Sequence, residues 1–211
     1  MTPDEIQQFL QAGDVMLAFD TSVTVRRGFL DLCDLANRVN ALRGALQNPA
    51  RIGLCVPAAA HTERLFHLCQ ERGDTYDVEF VRGVLRRRGI QVPSYTVEDA
   101  EHCALLLYQH FQTVEGWYAF KKRRCLECAG LDSHYHHLAQ GTGQRCGAPV
   151  DWLIVSQAHR QGMLLVMDDQ GRSGEFDAIE RKGHYSDTRA ALEQIHDELS
   201  RQVRLLNEVR T

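Results

Sequence analysis

Apolar positions recur along this chain in two alternating rhythms. Short unbroken runs such as Met16-Leu-Ala-Phe19 and Met163-Leu-Leu-Val-Met167 have the length of strands buried on both faces. Between such runs, apolar residues return every three or four positions, as on one face of a helix. Residues 14–19 predict a first strand, 51–56 a second, 90–95 a third and 163–167 a fourth. Phe29, Leu30, Cys33, Leu35, Ala36, Val39 and Leu42 predict a helix over 27–43, and Gln47-Asn-Pro49 breaks it. Pro57 opens another helix, with Ala60, Leu65, Leu68 and Cys69 on one side and Glu63 in its second turn. Further helices are expected over 76–88, over 97–111 with Thr96 and Asp99 as a capping pair, and over 151–159 before Gly162.

The two ends also read as helices. Thr2-Pro-Asp-Glu5 combines a cap, a proline suited to the first turn and a capping-box glutamate, and Gly13 ends the segment 1–13. In the tail, Leu192, Ile195, Leu199, Val203 and Leu206 lie three or four apart and predict a long amphipathic helix over 187–209. Strand and helix alternate in the body, so the expected fold is α/β, a three-layer α/β/α arrangement around a central parallel sheet. One domain over 14–180 is expected. It carries an insertion at about 113–149, where periodicity weakens and Cys, His, Gly and basic residues collect.

Composition narrows the class without naming a ligand. With 211 residues, 44% of them hydrophobic, the chain is long enough to bury one sizeable core. No apolar run approaches membrane-spanning length, and the N-terminus carries acids where a signal peptide carries Lys or Arg, so a soluble cytoplasmic protein with no membrane partner is expected. Seven scattered cysteines, several inside helix-like patterns, argue against a disulfide framework. The formal net charge of −4 is small, yet basic residues cluster in Arg26-Arg27, Arg86-Arg-Arg88 and Lys121-Lys122-Arg123-Arg124. Such clusters are candidate phosphate contacts, with solvated helix faces as the alternative.

Asp20 stands where the first apolar run ends, followed by Thr21 and Ser22, and Asp168-Asp169 stands where the fourth run ends. Ligands of parallel sheets collect beyond the carboxyl ends of strands, so these acids are candidates for a shared site. Gathered carboxylates repel one another unless a cation neutralises them, and oxygen donors suit Mg²⁺ or Mn²⁺. Such ions lower the pKa of water and stabilise charge on phosphate. Thr21 and Ser22 are candidates to orient the aspartate or a water. Each acid also has an ordinary reading: Asp20 and Asp168-Asp169 as turn residues, Asp151 as a helix cap, Glu63 as a surface side chain.

Taken in order, Asp20-Thr-Ser-Val23, Pro57-Ala-Ala-Ala-His-Thr-Glu63-Arg-Leu65, Pro149-Val-Asp151-Trp-Leu-Ile-Val-Ser-Gln-Ala158 and Leu164-Leu-Val-Met-Asp-Asp169 resemble the four acidic motifs of the PIN domain family, most nearly those of VapC-like ribonuclease toxins. The resemblance spans about residues 15–176, and Val97-Glu-Asp-Ala100 is similar to the family's helix before its third motif. It implies a three-layer α/β/α fold and Mg²⁺- or Mn²⁺-dependent cleavage of RNA. The implied catalytic and metal-holding acids are Asp20, Glu63, Asp151 and Asp169, with Asp168 beside the fourth. It also implies an antitoxin protein as a candidate partner. The chain departs from the pattern at Met167, where the family has Thr or Ser, in its leading helix, and in its long insertion and tail.

The insertion has its own candidate chemistry. Cys125-Leu-Glu-Cys128, followed by His134, His136, His137 and Cys146, offers soft ligands for a structural Zn²⁺. Reduced thiols and surface imidazoles are the alternative. Trp117, Tyr118 and Phe120 beside Lys121, Lys122, Arg123 and Arg124 are expected in a core, with stacking on RNA bases as the other reading. Arg26 and Arg27 are candidate RNA contacts as well. The tail helix packs on its own domain or forms a homodimer or other partner surface. Two functions follow: a metal-dependent ribonuclease, or a catalytically weak PIN-like scaffold that binds RNA or a protein.

Overall fold

The computed structural model describes residues 1–128, 148–168 and 174–210. Its elements are α1 (Pro3–Gln11), β1 (Val15–Phe19), α2 (Thr21–Thr24), α3 (Phe29–Ala45), β2 (Ile52–Cys55), α4 (Ala58–Arg72), α5 (Val78–Arg87), β3 (Ile90–Gln91), α6 (Val97–Phe111), α7 (Val114–Cys128), α8 (Ala148–Arg160), β4 (Leu164–Met167), β5 (Lys182–His184) and α9 (Tyr185–Arg210). Five strands form one sheet in the order β3-β2-β1-β4-β5, and every pair is parallel.

The apolar runs become the central strands because both of their faces are covered. Leu17, Ala18 and Phe19 of β1 and Leu164, Leu165 and Val166 of β4 are fully buried. Helices divide into two sets. On one side α9 packs on α1 and α3; on the other α8 packs on α4, α6 and α7. This is an α/β architecture with a parallel sheet between helices, consistent with three layers. Ile6 and Leu10 of α1 and Leu192 and Ile195 of α9 belong to the main core, so both terminal helices are built into the body. Beyond Leu199 the tail helix is more open, and Leu205 and Val209 are 61% and 86% exposed.

Several boundaries differ from the pattern-based expectation, each for a physical reason. The third strand keeps only two residues; Pro93, which has no N–H to donate, follows closely. β5 went unforeseen because Lys182-Gly-His184 has no apolar run; it lies beyond residue 180, where the domain was expected to end. Gly183 leaves room there for the buried Ile6 side chain, whose terminal methyl a Cβ would displace. The first part of the expected insertion, 114–128, is helical rather than irregular. Phe120 is buried and Trp117 packs beside it with Phe111, Leu106 and Trp152 in a second apolar cluster, so these two aromatics follow the core reading, while Tyr118 is exposed.

Both expected capping boxes form. Thr2 with Glu5 starts α1, and Thr96 with Asp99 starts α6. Asn40 of α3 clamps β2 by donating to the Ile52 carbonyl and accepting from its N–H, both at 2.8 Å. Cys33 and Cys55 are buried, and burial pushes both thiols up to about 12. Thiolate is the reactive form, so neither is expected to react with a thiol reagent in the native state, whereas exposed Cys69 is. Mass spectrometry of labelled peptides reads this directly, and native labelling of Cys33 at the rate of Cys69 would contradict the packing.

Candidate functional site

The sheet order changes direction at β1, since the chain moves outward through β2 and β3 and then returns to add β4 on the other side. At such a switch point the loops leave the carboxyl ends of adjacent strands in opposite directions and open a crevice. Asp20 follows β1 and Asp168 follows β4. The Asp20 N–H donates to the Val166 carbonyl at 3.0 Å, which joins the two strand ends at this crevice.

Asp20 is 4% exposed. It caps the short helix α2: its Oδ2 accepts from the Ser22 N–H at 3.0 Å and from the Ser22 hydroxyl at 2.6 Å. The Ser22 Oγ in turn accepts from the Asp168 N–H at 3.0 Å. One serine hydroxyl therefore fixes the first carboxylate and the backbone that leads to the late aspartates. The neighbouring Thr21 hydroxyl donates to Glu63 Oε2 at 2.5 Å, tying α4 to the same corner. The paired hydroxyls after Asp20 thus hold one carboxylate each.

Burial pushes the Glu63 carboxyl above its usual range; the Thr21 hydrogen bond opposes this, and the negative charge of Asp20 adds to it. Glu63 and Asp20 are close enough to repel. A raised carboxyl pKa favours the protonated group in the folded state, so its contribution to stability is present below the unfolded pKa and is lost as pH rises through the folded value. In metal-free buffer, Glu63→Gln is therefore expected to flatten the decline of Tm with pH above 4.5, the ordinary value of this group. Thermal melts across a pH series test this, and parallel curves for the two proteins would refute it.

Asp168 is half-buried and ion-paired to Arg26, with His184 Nε2 at 3.4 Å from its Oδ1. The Arg26 guanidinium lies 4.5 Å from the Tyr185 ring centroid, and the Tyr185 hydroxyl donates to the Gly28 carbonyl at 3.0 Å. A Cβ at Gly28 would strike that hydroxyl, so the small residue permits the contact. Arg26, read from the sequence as an RNA contact, is engaged by a carboxylate and an aromatic face. Asp151 lies half-buried in the first turn of α8, three residues inside the helix start, so it is not the cap.

Asp169 lies outside the described residues, as do His134, His136, His137, Cys146 and the side chains of Arg124, Cys125 and Cys128. Among the described residues, no group of three or more His, Cys, Asp and Glu side chains is gathered closely enough to hold a metal ion. Lys121 lies over Trp117 and Tyr118, and Arg123 over Phe120, so the basic run of α7 partly covers its own aromatics. Lys122 and Arg27 are exposed. No helix among the described residues is long and apolar enough to cross a membrane. Comparison with protein-family models, with curated proteins and with solved structures gives no match.

Sequence reasoning passed over Arg64, beside Glu63, and His61, one turn before Leu65. Both face a cavity next to the acidic corner. The adjacency of Arg64 to the second acid was a usable signal.

Proposed function

We propose that this chain is a PIN-like, divalent-metal-dependent endoribonuclease acting in the crevice beyond β1 and β4. The observation that carries the reading is that Asp20 and Glu63, 43 positions apart, are both held at the start of α2, by the Ser22 and Thr21 hydroxyls respectively, at the switch point of a parallel sheet. Two carboxylates gathered at one helix start, one of them with its pKa raised mainly by burial and further by the charge of the other, form a place that a hard cation relieves.

The residues fit such an ion in donor type. Asp20 and Glu63 would hold it, with Asp151 and Asp169 completing the set and Asp168 assisting when Arg26 lets go. Bound there, Mg²⁺ or Mn²⁺ supplies a water of lowered pKa and neutralises charge on the phosphate. Ser22 keeps Asp20 in place, and Thr21 does the same for Glu63. Arg26 is positioned to exchange Asp168 for a substrate phosphate. As in the toxins that the motifs resemble, an antitoxin covering this corner is the corresponding protein partner.

The test is an assay with defined RNA and DNA, with and without Mn²⁺ and with EDTA. Cleavage of RNA only in the presence of the metal is the expected result. A second reading, a scaffold that binds RNA or a protein without cutting, is favoured by the Arg26–Asp168 pair, which already occupies one of the acids. RNA binding with no cleavage under any divalent metal would select it.

A further inference from the structure

α4 has two working faces. Glu63 turns to Thr21, while His61, Arg64 and Leu68 line a cavity of about 470 Å³. The far wall is α5, whose Phe80, Val81 and Val84 face the same space. No residue of α5 is fully buried, and Phe80 is 57% exposed; Leu85 packs against the main core, while Phe80, Val81 and Val84 of the apolar side line the cavity. Thr24 and Arg26, from the segment that carries Asp20, close the end nearest the acidic corner.

Charge distinguishes this cavity from an ordinary packing gap. Arg26, Arg27, Arg64 and Arg72 line it against one acid, Asp77. That carboxylate is committed to capping α5, accepting from the Glu79 and Phe80 N–H groups at 2.8 and 3.1 Å. Arg64 reaches a mostly exposed Glu71 at 3.4 Å. Arg27 and Arg72 have no ion-pair partner among the described residues. The lining therefore sets an apolar, aromatic wall beside four guanidinium groups, of which Asp168 pairs Arg26 and Glu71 pairs Arg64, and its volume falls in the range of roughly 300–1,000 Å³ typical of small-molecule sites.

We propose that this cavity receives one unstacked nucleotide of single-stranded RNA, its base against the wall between α4 and α5 and its phosphate on the arginine rim. The inference rests on the ribonuclease reading, for which it supplies a substrate-positioning pocket next to the carboxylates. A base inside a duplex presents no free face to Phe80, so the pocket selects single strands. Phosphate contacts from Arg27 and Arg72 add affinity without base identity.

The experiment measures binding to the full chain in EDTA, so that no cleavage intervenes. The probe is a fluorescein-labelled single-stranded RNA of eight nucleotides, competed by AMP, by inorganic phosphate and by an acidic eight-residue glutamate peptide. AMP is expected to compete at least about tenfold better than phosphate or peptide, because only it offers both a ring and an anion. Val84→Trp, which fills the cavity, is expected to abolish that advantage, and Phe80→Ala, at an exposed position, to reduce it severalfold. Arg27→Ala with Arg72→Ala is expected to weaken RNA binding about tenfold and to lower the salt dependence by about 1.4 in log–log slope. AMP no better than phosphate, an equally effective peptide, or indifference to both Val84→Trp and Phe80→Ala overturns the proposal. If AMP binds as expected but RNA is never cut with metal, the ribonuclease reading falls and the pocket stands. Metal-dependent cleavage without AMP competition removes the pocket alone.

Discussion

Asp20→Asn is expected to reduce metal-dependent RNA cleavage by at least about 100-fold while leaving the fold intact. Groups that merely orient a metal's ligands cost about 10- to 100-fold when removed, so loss of a ligand's charge costs more. The fold is spared because asparagine caps helices about as well as aspartate, and its side-chain oxygen can still accept from the Ser22 N–H and hydroxyl. Initial rates at saturating Mn²⁺, paired with thermal melts, separate the two effects. Ser22→Ala provides the graded companion, since it removes the hydroxyl bond to Asp20, leaving the backbone N–H bond, and also the acceptor for the Asp168 N–H. A smaller loss, about 10- to 100-fold, is expected there. Unaltered cleavage by the Asp20→Asn protein would end the case for an acidic catalytic corner.

Why Asp20 could be read from sequence, while its surroundings could not, follows from where each signal lives. A carboxylate at the end of a fully apolar run is a local pattern, and so are the capping boxes at Thr2 and Thr96. The parallel sheet followed from alternation of strand and helix. β5 was invisible because edge pairing with β4 needs backbone groups and a glycine that clears Ile6, not an apolar run. The pairing of Arg26 with Asp168 spans most of the chain and depends on β1 and β4 being neighbours. Similarly, Thr21 and Ser22 were legible as hydroxyls near an acid, but the division of labour between Asp20 and Glu63 required α4 to be placed. The cavity beside Arg64 is lined by residues of both α4 and α5, and no periodicity in either helix encodes that gap.

Asp99→Ala is expected to destabilise the protein by about 3 kcal/mol, at the upper end of what single substitutions ordinarily cost. Asp99 is fully buried and serves two helices at once. Its Oδ2 accepts from the Thr96 N–H at 2.9 Å to close the α6 capping box, and its Oδ1 meets Arg160 Nε of α8 at 2.5 Å. Alanine leaves the Thr96 hydroxyl on the helix but breaks the reciprocal half of the capping box and removes the carboxylate that Arg160 meets, at about 1.5–3 kcal/mol for hydrogen bonds to a charged group. For a chain of this size that is a fall in Tm of roughly 6–12 °C. Burial pushes the Asp99 carboxyl up, but Arg160 and the Thr96 N–H outweigh it and hold the group below its ordinary range. A depressed carboxyl stabilises above the unfolded pKa and loses that contribution as pH falls through the folded one. The unfolding free energies of wild type and variant should therefore differ fully at neutral pH and converge in acid, as urea titrations at several pH values would record. A difference below about 0.5 kcal/mol, or one independent of pH, would mean that α6 and α8 are held by their apolar contacts alone. Because α8 carries Asp151 at its other end, the same variant reports on the site: cleavage that falls at temperatures where the fold persists would show that this buried carboxylate also sets the position of the third acid.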